Sequence, residues 1–222
     1  KKYNLEKIGF IIISKSGSTP ETLSQFSCLI EVFYQKNILD KLFNNCLIIT
    51  EDKPSPLRNI AVANNCIILN HEKDIGGRYS VFSNVGILPA IIAGFDVNKF
   101  YLGAKEVLEK VINTNYSDHI KLAKIFNTHS THSFTNNVIL TYSDYLYFFG
   151  KWYLQLWAES IGKNNKGITP IHSVGTTDQH SQLQLYLSGP KDKFFTFITT
   201  NNFNVGITMN EKILKESDVP YL

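Results

Sequence analysis

The chain of 222 residues is 43% hydrophobic and has a formal net charge of +3, which suits one large or two small globular domains. Its lysines and arginines are scattered, and this pattern excludes the clustered basic surfaces of nucleic-acid-binding and polybasic membrane-binding proteins. The longest apolar run, residues 85–95, is well short of the roughly 20 residues that a membrane helix needs. We therefore expect a soluble protein without a nucleic-acid or membrane partner.

The first third of the chain alternates strands and helices. Residues 8–13 form an apolar run typical of a buried strand, and Pro20 suits the first position of a helix that has Thr19 as its N-cap. A second strand is predicted at residues 46–50, a short helix at residues 57–63 and a third strand at residues 66–69. This alternation favours a parallel sheet covered by helices on both faces.

The middle of the chain is predicted to be helical, and an α/β pattern then restarts. Residues 80–95 predict one apolar helix with a kink or break at Pro89. Further elements are predicted in chain order: helices at 99–112 and 118–128, a strand at 137–142, a helix at 144–161 and a strand at 194–199. The best linker candidate is residues 113–115. We expect an α/β fold of three αβα layers with parallel, doubly wound sheets, divided near residue 115.

The cysteines and histidines predict the cellular setting and the absence of a metal. Cys28, Cys46 and Cys66 follow no metal-ligand spacing, and an odd, unclustered set indicates reduced thiols in a cytoplasmic protein. No signal peptide is recognised at the start of the sequence, which agrees with that expectation. His129 and His132 have i,i+3 spacing but no acidic or cysteine partner at metal-site spacing, so no metal site is expected.

The segment SKSGST at residues 14–19 is the first that could carry chemistry. Its four hydroxyls can donate to an anionic oxygen, Gly17 allows close backbone approach, and Lys15 adds positive charge. The predicted helix begins directly after it, so free N–H groups and the positive end of the helix dipole favour a bound phosphate. The alternative is an ordinary polar turn that caps the helix.

Three later segments each contain one side chain suited to proton transfer or charge stabilisation. Arg78 follows two glycines, and its guanidinium could bind phosphate or an oxyanion unless its role is structural. Glu159 lies one turn after Gln155 on a tryptophan-containing helix and suits a general base; the alternative is an ion pair with Lys163. His180 is expected near a helix start, where it could shuttle protons or have no chemical role.

Together these segments resemble the glucose-6-phosphate isomerase (phosphoglucose isomerase) family in order and spacing. The matching stretches are residues 14–22, GGRYS at 76–80, QLWAESIGK at 155–163 and DQHSQLQLY at 178–186. The resemblance implies two sugar isomerase (SIS) domains, with residues 1–115 as the C-terminal part of the first and residues 116–222 as most of the second. Family members are longer at both ends, with a sugar-contacting loop before and a catalytic lysine after the matching stretch.

The resemblance also implies a reaction, the interconversion of glucose 6-phosphate and fructose 6-phosphate through a cis-enediol. Glu159 would move the proton between C2 and C1, and Arg78 would stabilise the negative charge of the intermediate. His180 would assist opening of the sugar ring and would come from the partner subunit of a homodimer. No metal or organic cofactor is implied, because such a proton transfer needs only a base, an acid and oxyanion stabilisation.

Substrate binding would fall to five other residues. By resemblance, Ser14, Ser16 and Thr19 hold the sugar phosphate with Lys15 in the same loop, and Gln155 positions the substrate beside the base. A sugar-phosphate-binding SIS module without catalysis, acting as a regulator or partner subunit, is the alternative function. A broader isomerase that also accepts mannose 6-phosphate is a third.

Overall fold

The computed structural model describes residues 3–113, 118–130, 134–201, 207 and 210–216. The chain forms two compact units, which we call unit 1 (Lys1–Thr128) and unit 2 (His129–Leu222). Residues 114 and 115 of the predicted linker lie outside the described residues.

Unit 1 is built on a parallel sheet with strand order β1-β2-β3. Its described elements are β1 (Phe10–Ile13), α1 (Pro20–Gln35), α2 (Leu39–Asn44), β2 (Cys46–Thr50), α3 (Pro56–Ala63), β3 (Ile67–Asn70), α4 (Asn84–Ile92) and α5 (Val97–Asn113). Short 3-10 helices occupy Leu5–Lys7 and Gly77–Phe82, and α6 (Asp118–Ser130) runs across the boundary between the units.

The core of unit 1 lies between the sheet and the helices that follow its strands. Phe26 and Phe33 of α1, Ile48 of β2 and Leu57 of α3 are almost completely buried together. Phe33 also makes an edge-to-face contact with Phe10 of β1, with 5.6 Å between the ring centroids. Because the three strands are parallel, the segments that follow them all emerge at one edge of the sheet, and this edge carries the phosphate-binding loop predicted above.

Unit 2 contains a second parallel sheet with strand order β5-β4-β6. Its described elements are β4 (Asn136–Tyr142), α7 (Tyr147–Ile161), β5 (Thr169–Val174), α8 (Thr177–Ser188), β6 (Lys193–Thr199) and α9 (Glu211–Glu216), with a 3-10 helix at Asp144–Leu146. The central strand β4 has Val138 and Ile139 fully buried. Since β5 and β6 flank β4 on opposite sides, right-handed crossovers place their connections on opposite faces of the sheet.

The predicted α/β class, with parallel sheets and three layers, is confirmed. The prediction of one helix over residues 80–95, kinked or broken at Pro89, is wrong. The chain instead forms a 3-10 helix to Phe82, and α4 begins after Ser83, whose hydroxyl accepts a hydrogen bond from Val85 N. Pro89 lies inside α4, so the break comes at the Ser83 cap rather than at the proline.

Strand β5 is absent from the sequence prediction because Pro170 interrupts an otherwise strand-like segment. Proline cannot donate to a ladder, and it is tolerated at the edge of a sheet. β5 is one of the two outer strands in the order β5-β4-β6, and this position accommodates the proline. Among the described helices, none combines the length and apolarity required to span a bilayer.

Candidate functional site

The loop between β1 and α1 gathers three hydroxyls at the start of a long helix. Ser14 Oγ lies 2.8 Å from Thr19 Oγ1, and Ser16 Oγ lies 3.5 Å from the same atom. Thr19 is the N-cap of α1 and Pro20 its first residue, as predicted. The Thr19 side chain makes no capping hydrogen bond, because its hydroxyl lies against Ser14 instead. The loop therefore presents hydroxyls where the helix dipole favours an anion.

Gly17 allows this loop to turn. Its φ is +66°, and a Cβ built on it would lie 2.1 Å from Ser55 Oγ and 2.9 Å from Thr50 Oγ1. Its N–H donates to Ser14 Oγ at 3.1 Å, and its carbonyl accepts from Leu57 N at 3.0 Å. These contacts fix the loop against the end of β2 and the start of α3, so the hydroxyls are held in place before any ligand binds.

Lys15 bonds to protein groups on two neighbouring segments. Its Nζ donates to Lys73 O at 2.8 Å and to Ile75 O at 2.7 Å, and lies 3.3 Å from Glu51 Oε1. Glu51 follows β2, is buried and also pairs with Lys53. The hydrogen bond from Lys53, supported by Lys15, holds the pKa of the Glu51 carboxyl below its ordinary value of 4.5. Glu51 is thus an anionic group that pairs with Lys15 and Lys53 beside the loop at residues 14–19.

Arg78 lies in the 3-10 helix Gly77–Phe82, which follows the loop at residues 71–76 that we call the β3 loop. Its guanidinium carbon is 4.5 Å from the centroid of the Tyr79 ring, within the range of a cation–π contact. Tyr79 N donates to Gly76 O at 2.9 Å, and Ser80 Oγ donates to Gly77 O at 2.6 Å. The chain therefore turns tightly at the two glycines, and the arginine lies in the first turn of the 3-10 helix.

In unit 2, the candidate base and its neighbour are hydrogen-bonded on an exposed part of α7. Gln155 Nε2 donates to Glu159 Oε1 at 2.9 Å, and both side chains are exposed within the unit. The opposite side of α7 is tied to the fold: Trp157 Nε1 donates to Ile168 O at 2.9 Å, and Tyr153 stacks on Trp157 at 5.7 Å. Burial raises the pKa of Tyr153 to about 12. A rigid helix therefore presents the carboxylate.

A close approach holds the start of α7 against the sheet. A Cβ on Gly150 would lie 2.2 Å from His172 Nε2, so only glycine fits there without a shift. His172 Nε2 is 2.9 Å from Thr141 Oγ1, within hydrogen-bond distance, and burial lowers the pKa of this histidine. His172 is therefore a packing residue that the sequence did not single out, and it fixes the helix that carries Glu159.

The side chain of His180 is exposed in the first turn of α8, and the backbone N–H of this residue donates to Thr176 O at 3.0 Å. Asp178 Oδ2 accepts a hydrogen bond from Val174 N at 2.7 Å. The Gln182 amide oxygen accepts from the Tyr186 hydroxyl. Asp178 and Gln182, the polar residues on either side of His180 in the sequence, thus have other hydrogen-bond partners within unit 2.

Within each unit, only some of the predicted site residues are brought together. Ser14, Ser16 and Thr19 form one cluster, and Gln155 pairs with Glu159, whereas Arg78 and His180 lie in other elements of units 1 and 2. Sequence reasoning missed Glu51, although its place directly after a buried strand was a usable signal. His132 and the side chain of His129 lie outside the described part of the chain. Among the residues that are described, no cluster of three metal-ligating side chains occurs.

The sequence matches known proteins over nearly its whole length. The family model for phosphoglucose isomerase matches residues 1–215. The probable glucose-6-phosphate isomerase of Methanococcus maripaludis is 39% identical over 202 residues, which are 90% of this chain and 45% of that protein. The glucose-6-phosphate isomerase of Campylobacter jejuni is 38% identical over 206 residues, which are 89% of this chain and 48% of that protein.

A solved structure is similar as well. A hypothetical protein from Thermus thermophilus superposes with a TM-score of 0.84 at 30% sequence identity, over 95% of this chain and 52% of that one. The chain spans about half the length of the curated relatives it matches. Because the family model covers almost every residue and the four motifs lie within it, this chain belongs to the phosphoglucose isomerase family.

Proposed function

We propose that this chain interconverts glucose 6-phosphate and fructose 6-phosphate as an aldose–ketose isomerase. The observation that carries the proposal is the exposed Glu159 carboxylate, which accepts a hydrogen bond from Gln155 on a helix fixed to its sheet. Family membership and the names of the relatives support the substrate class, a hexose phosphate. Incubation of the chain with fructose 6-phosphate and measurement of glucose 6-phosphate tests it directly.

The chemistry assigned to Glu159 is a proton transfer next to a carbonyl. In the open-chain aldose, the carboxylate removes the proton from C2, the C–H electrons form the C1–C2 double bond, and the C1 oxygen takes up negative charge. The Arg78 guanidinium is assigned to stabilise that charge. The C2 hydroxyl then passes its proton to the C1 oxygen. As the C2 oxygen forms the carbonyl, the electrons of the C1–C2 double bond take the proton from the protonated carboxyl onto C1, which gives the ketone with a C1 hydroxyl and restores the carboxylate.

The hydroxyl cluster at the start of α1 is assigned to the phosphate. We expect the Ser16→Ala, Thr19→Ala double variant to weaken glucose 6-phosphate binding by about 2–4 kcal/mol, because each hydrogen bond to a charged group contributes about 1.5–3 kcal/mol and neighbours are not additive. Isothermal titration measures the change. Ser24→Ala is the matched control, since Ser24 is an exposed serine of α1 that lies outside this loop. Equal affinity of the double variant and this control would contradict the assignment.

We also propose a homodimer in which His180 reaches the partner's site and assists ring opening. A mixture of Glu159→Gln and His180→Ala subunits is expected to recover activity that neither variant has alone. In a mixed dimer with shared sites, one site contains both lesions and the other contains none, so random pairing restores about a quarter of all sites. Activity after mixing, alongside sedimentation, measures this. If mixed dimers form without recovering activity, both residues act from the same subunit.

Further assignments extend this proposal to the whole chain. Residues 1–115 correspond to the C-terminal part of a first SIS domain and residues 116–222 to most of a second, and the protein acts in the cytoplasm in glycolysis and gluconeogenesis. A substrate panel that includes mannose 6-phosphate defines specificity. Tight binding of glucose 6-phosphate without turnover by the unmodified chain would instead make it a sugar-phosphate-binding module with a regulatory or partner-subunit role.

A further inference from the structure

We propose that Lys15 is a positioning residue. It connects the phosphate-binding loop (residues 14–19) to the β3 loop (residues 71–76), which leads into the 3-10 helix of Arg78, and Glu51 holds the Lys15 ammonium in place. We call this arrangement the Lys15 bridge; it consists of Lys15, Glu51 and the carbonyls of Lys73 and Ile75. Its structural part stands on contacts within unit 1. Its catalytic consequence rests on the proposed isomerase function.

The hydrogen-bond capacity of Lys15 is filled by groups of the protein. A lysine ammonium has three N–H groups, and here three acceptors surround it: Lys73 O at 2.8 Å, Ile75 O at 2.7 Å and Glu51 Oε1 at 3.3 Å. The side chain is 28% exposed, so part of its charge is removed from water and compensated by these groups. Lys15 therefore directs its donors to groups of the protein itself.

The backbone of Lys15 is fixed from the opposite side. Its carbonyl accepts hydrogen bonds from Glu51 N at 3.1 Å and from Thr50 Oγ1 at 3.3 Å. The residue is thus held to the end of β2 by its main chain and to the β3 loop by its side chain. Because both the main chain and the side chain of Lys15 are hydrogen-bonded, a shift of the phosphate-binding loop would also shift the β3 loop.

The β3 loop leads directly into the 3-10 helix that contains Arg78. Ile75 lies three residues before Arg78, and Ile75 N donates to Glu72 O at 3.3 Å as the chain turns. The 3-10 helix then starts at Gly77, after the extended N-cap residue Gly76. Fixing the carbonyl of Ile75 therefore limits where the guanidinium of Arg78 can go. Misplacement of a catalytic group by about 1 Å can cost roughly 100-fold in rate, so such a restraint has a measurable consequence.

Lys53 provides a matched control because it pairs with the same carboxylate. Lys53 reaches Glu51 Oε2 but is 53% exposed, and its ion pair with that carboxylate does not involve the β3 loop. Lys15→Met and Lys53→Met each remove one positive charge and one ion pair to Glu51. Only Lys15→Met removes the two bonds to the carbonyls of Lys73 and Ile75.

Hydrogen exchange of the full chain tests the bridge without relying on activity. In Lys15→Met, we expect amide exchange in residues 72–80 to accelerate about tenfold or more relative to Lys53→Met, while amides in β2 keep their protection. Lys15→Arg, which retains donors, should lie between the two. If Lys15→Met fails to fold, Glu51→Gln is compared with Lys53→Met in the same way, because loss of the carboxylate charge should loosen the same segment. Unchanged exchange in residues 72–80 overturns the bridge.

Kinetics test its consequence. We expect Lys15→Met to lower kcat for fructose 6-phosphate about 10- to 100-fold, with inhibition by inorganic phosphate changed less than about threefold, because the hydroxyl cluster remains. A large loss of phosphate affinity with unchanged kcat would show that Lys15 acts as a direct phosphate ligand instead. If the unmodified chain has no isomerase activity, the proposed function fails, and exchange alone decides whether the bridge exists.

Discussion

Glu159→Gln is expected to lower kcat for fructose 6-phosphate by roughly 10²- to 10⁴-fold, the range that general base catalysis contributes. Glutamine has nearly the same shape as glutamate, and its amide oxygen can still accept the hydrogen bond from Gln155. Its amide cannot take a proton from C1 of the ketose or from C2 of the aldose near neutral pH. Because the side chain is exposed within unit 2, the substitution should leave folding and sugar-phosphate affinity nearly unchanged.

Two measurements separate loss of the base from general damage. Turnover is followed by the appearance of glucose 6-phosphate, and proton transfer is followed by washout of deuterium from C2 of labelled glucose 6-phosphate into water. Both should fall together in Glu159→Gln. Glu106→Gln, which changes an exposed glutamate on helix α5, is the matched control and should behave like the unmodified chain. A variant that retains turnover within about threefold would exclude Glu159 as the base.

Local sequence patterns predict those parts of the fold that depend on local chemistry. Strand β2 is predicted with its observed bounds because an apolar run ends sharply before a polar loop. The N-cap and first residue of α1 are predicted because threonine and proline have strong preferences at those positions. The hydroxyls of Ser14 and Thr19 meet because this short loop brings them to one side of the helix start.

Contacts between distant residues are beyond such patterns. Two of the three acceptors of Lys15 are backbone carbonyls 58 and 60 residues further along the chain, and the direction of a long flexible side chain has no local signature. His172 packs against the glycine surface of α7 for a similar reason, because its site depends on how closely a helix approaches a strand. The candidate side chains can therefore be read from the sequence, while the groups that hold them in position require the structure.

The loop at residues 14–19 is held in shape by the close packing of Gly17 against Ser55 and Thr50, and Gly17→Ala tests how much this packing contributes. We expect this substitution to lower the free energy of unfolding of unit 1 by about 3–8 kcal/mol. The left-handed φ of +66° costs a non-glycine residue about 1–3 kcal/mol, and forcing a methyl group to 2.1 Å from Ser55 Oγ costs about 1–3 kcal/mol more. Displacing Ser55 would also remove the N-cap of α3, worth about 0.5–2 kcal/mol.

Guanidinium unfolding followed by far-ultraviolet circular dichroism measures this loss, because both tryptophans lie in unit 2 and their fluorescence reports that unit. Gly77→Ala is the matched control: a Cβ there meets no atom within 4 Å, and its φ is not left-handed, so its cost should stay below about 1 kcal/mol. Glucose 6-phosphate affinity should also fall in Gly17→Ala, since the Ser14 hydroxyl that accepts from Gly17 N belongs to the proposed phosphate cluster. Equal stability of the two variants would mean that the loop adapts freely, and the hydroxyls would then be organised by the ligand rather than by the fold.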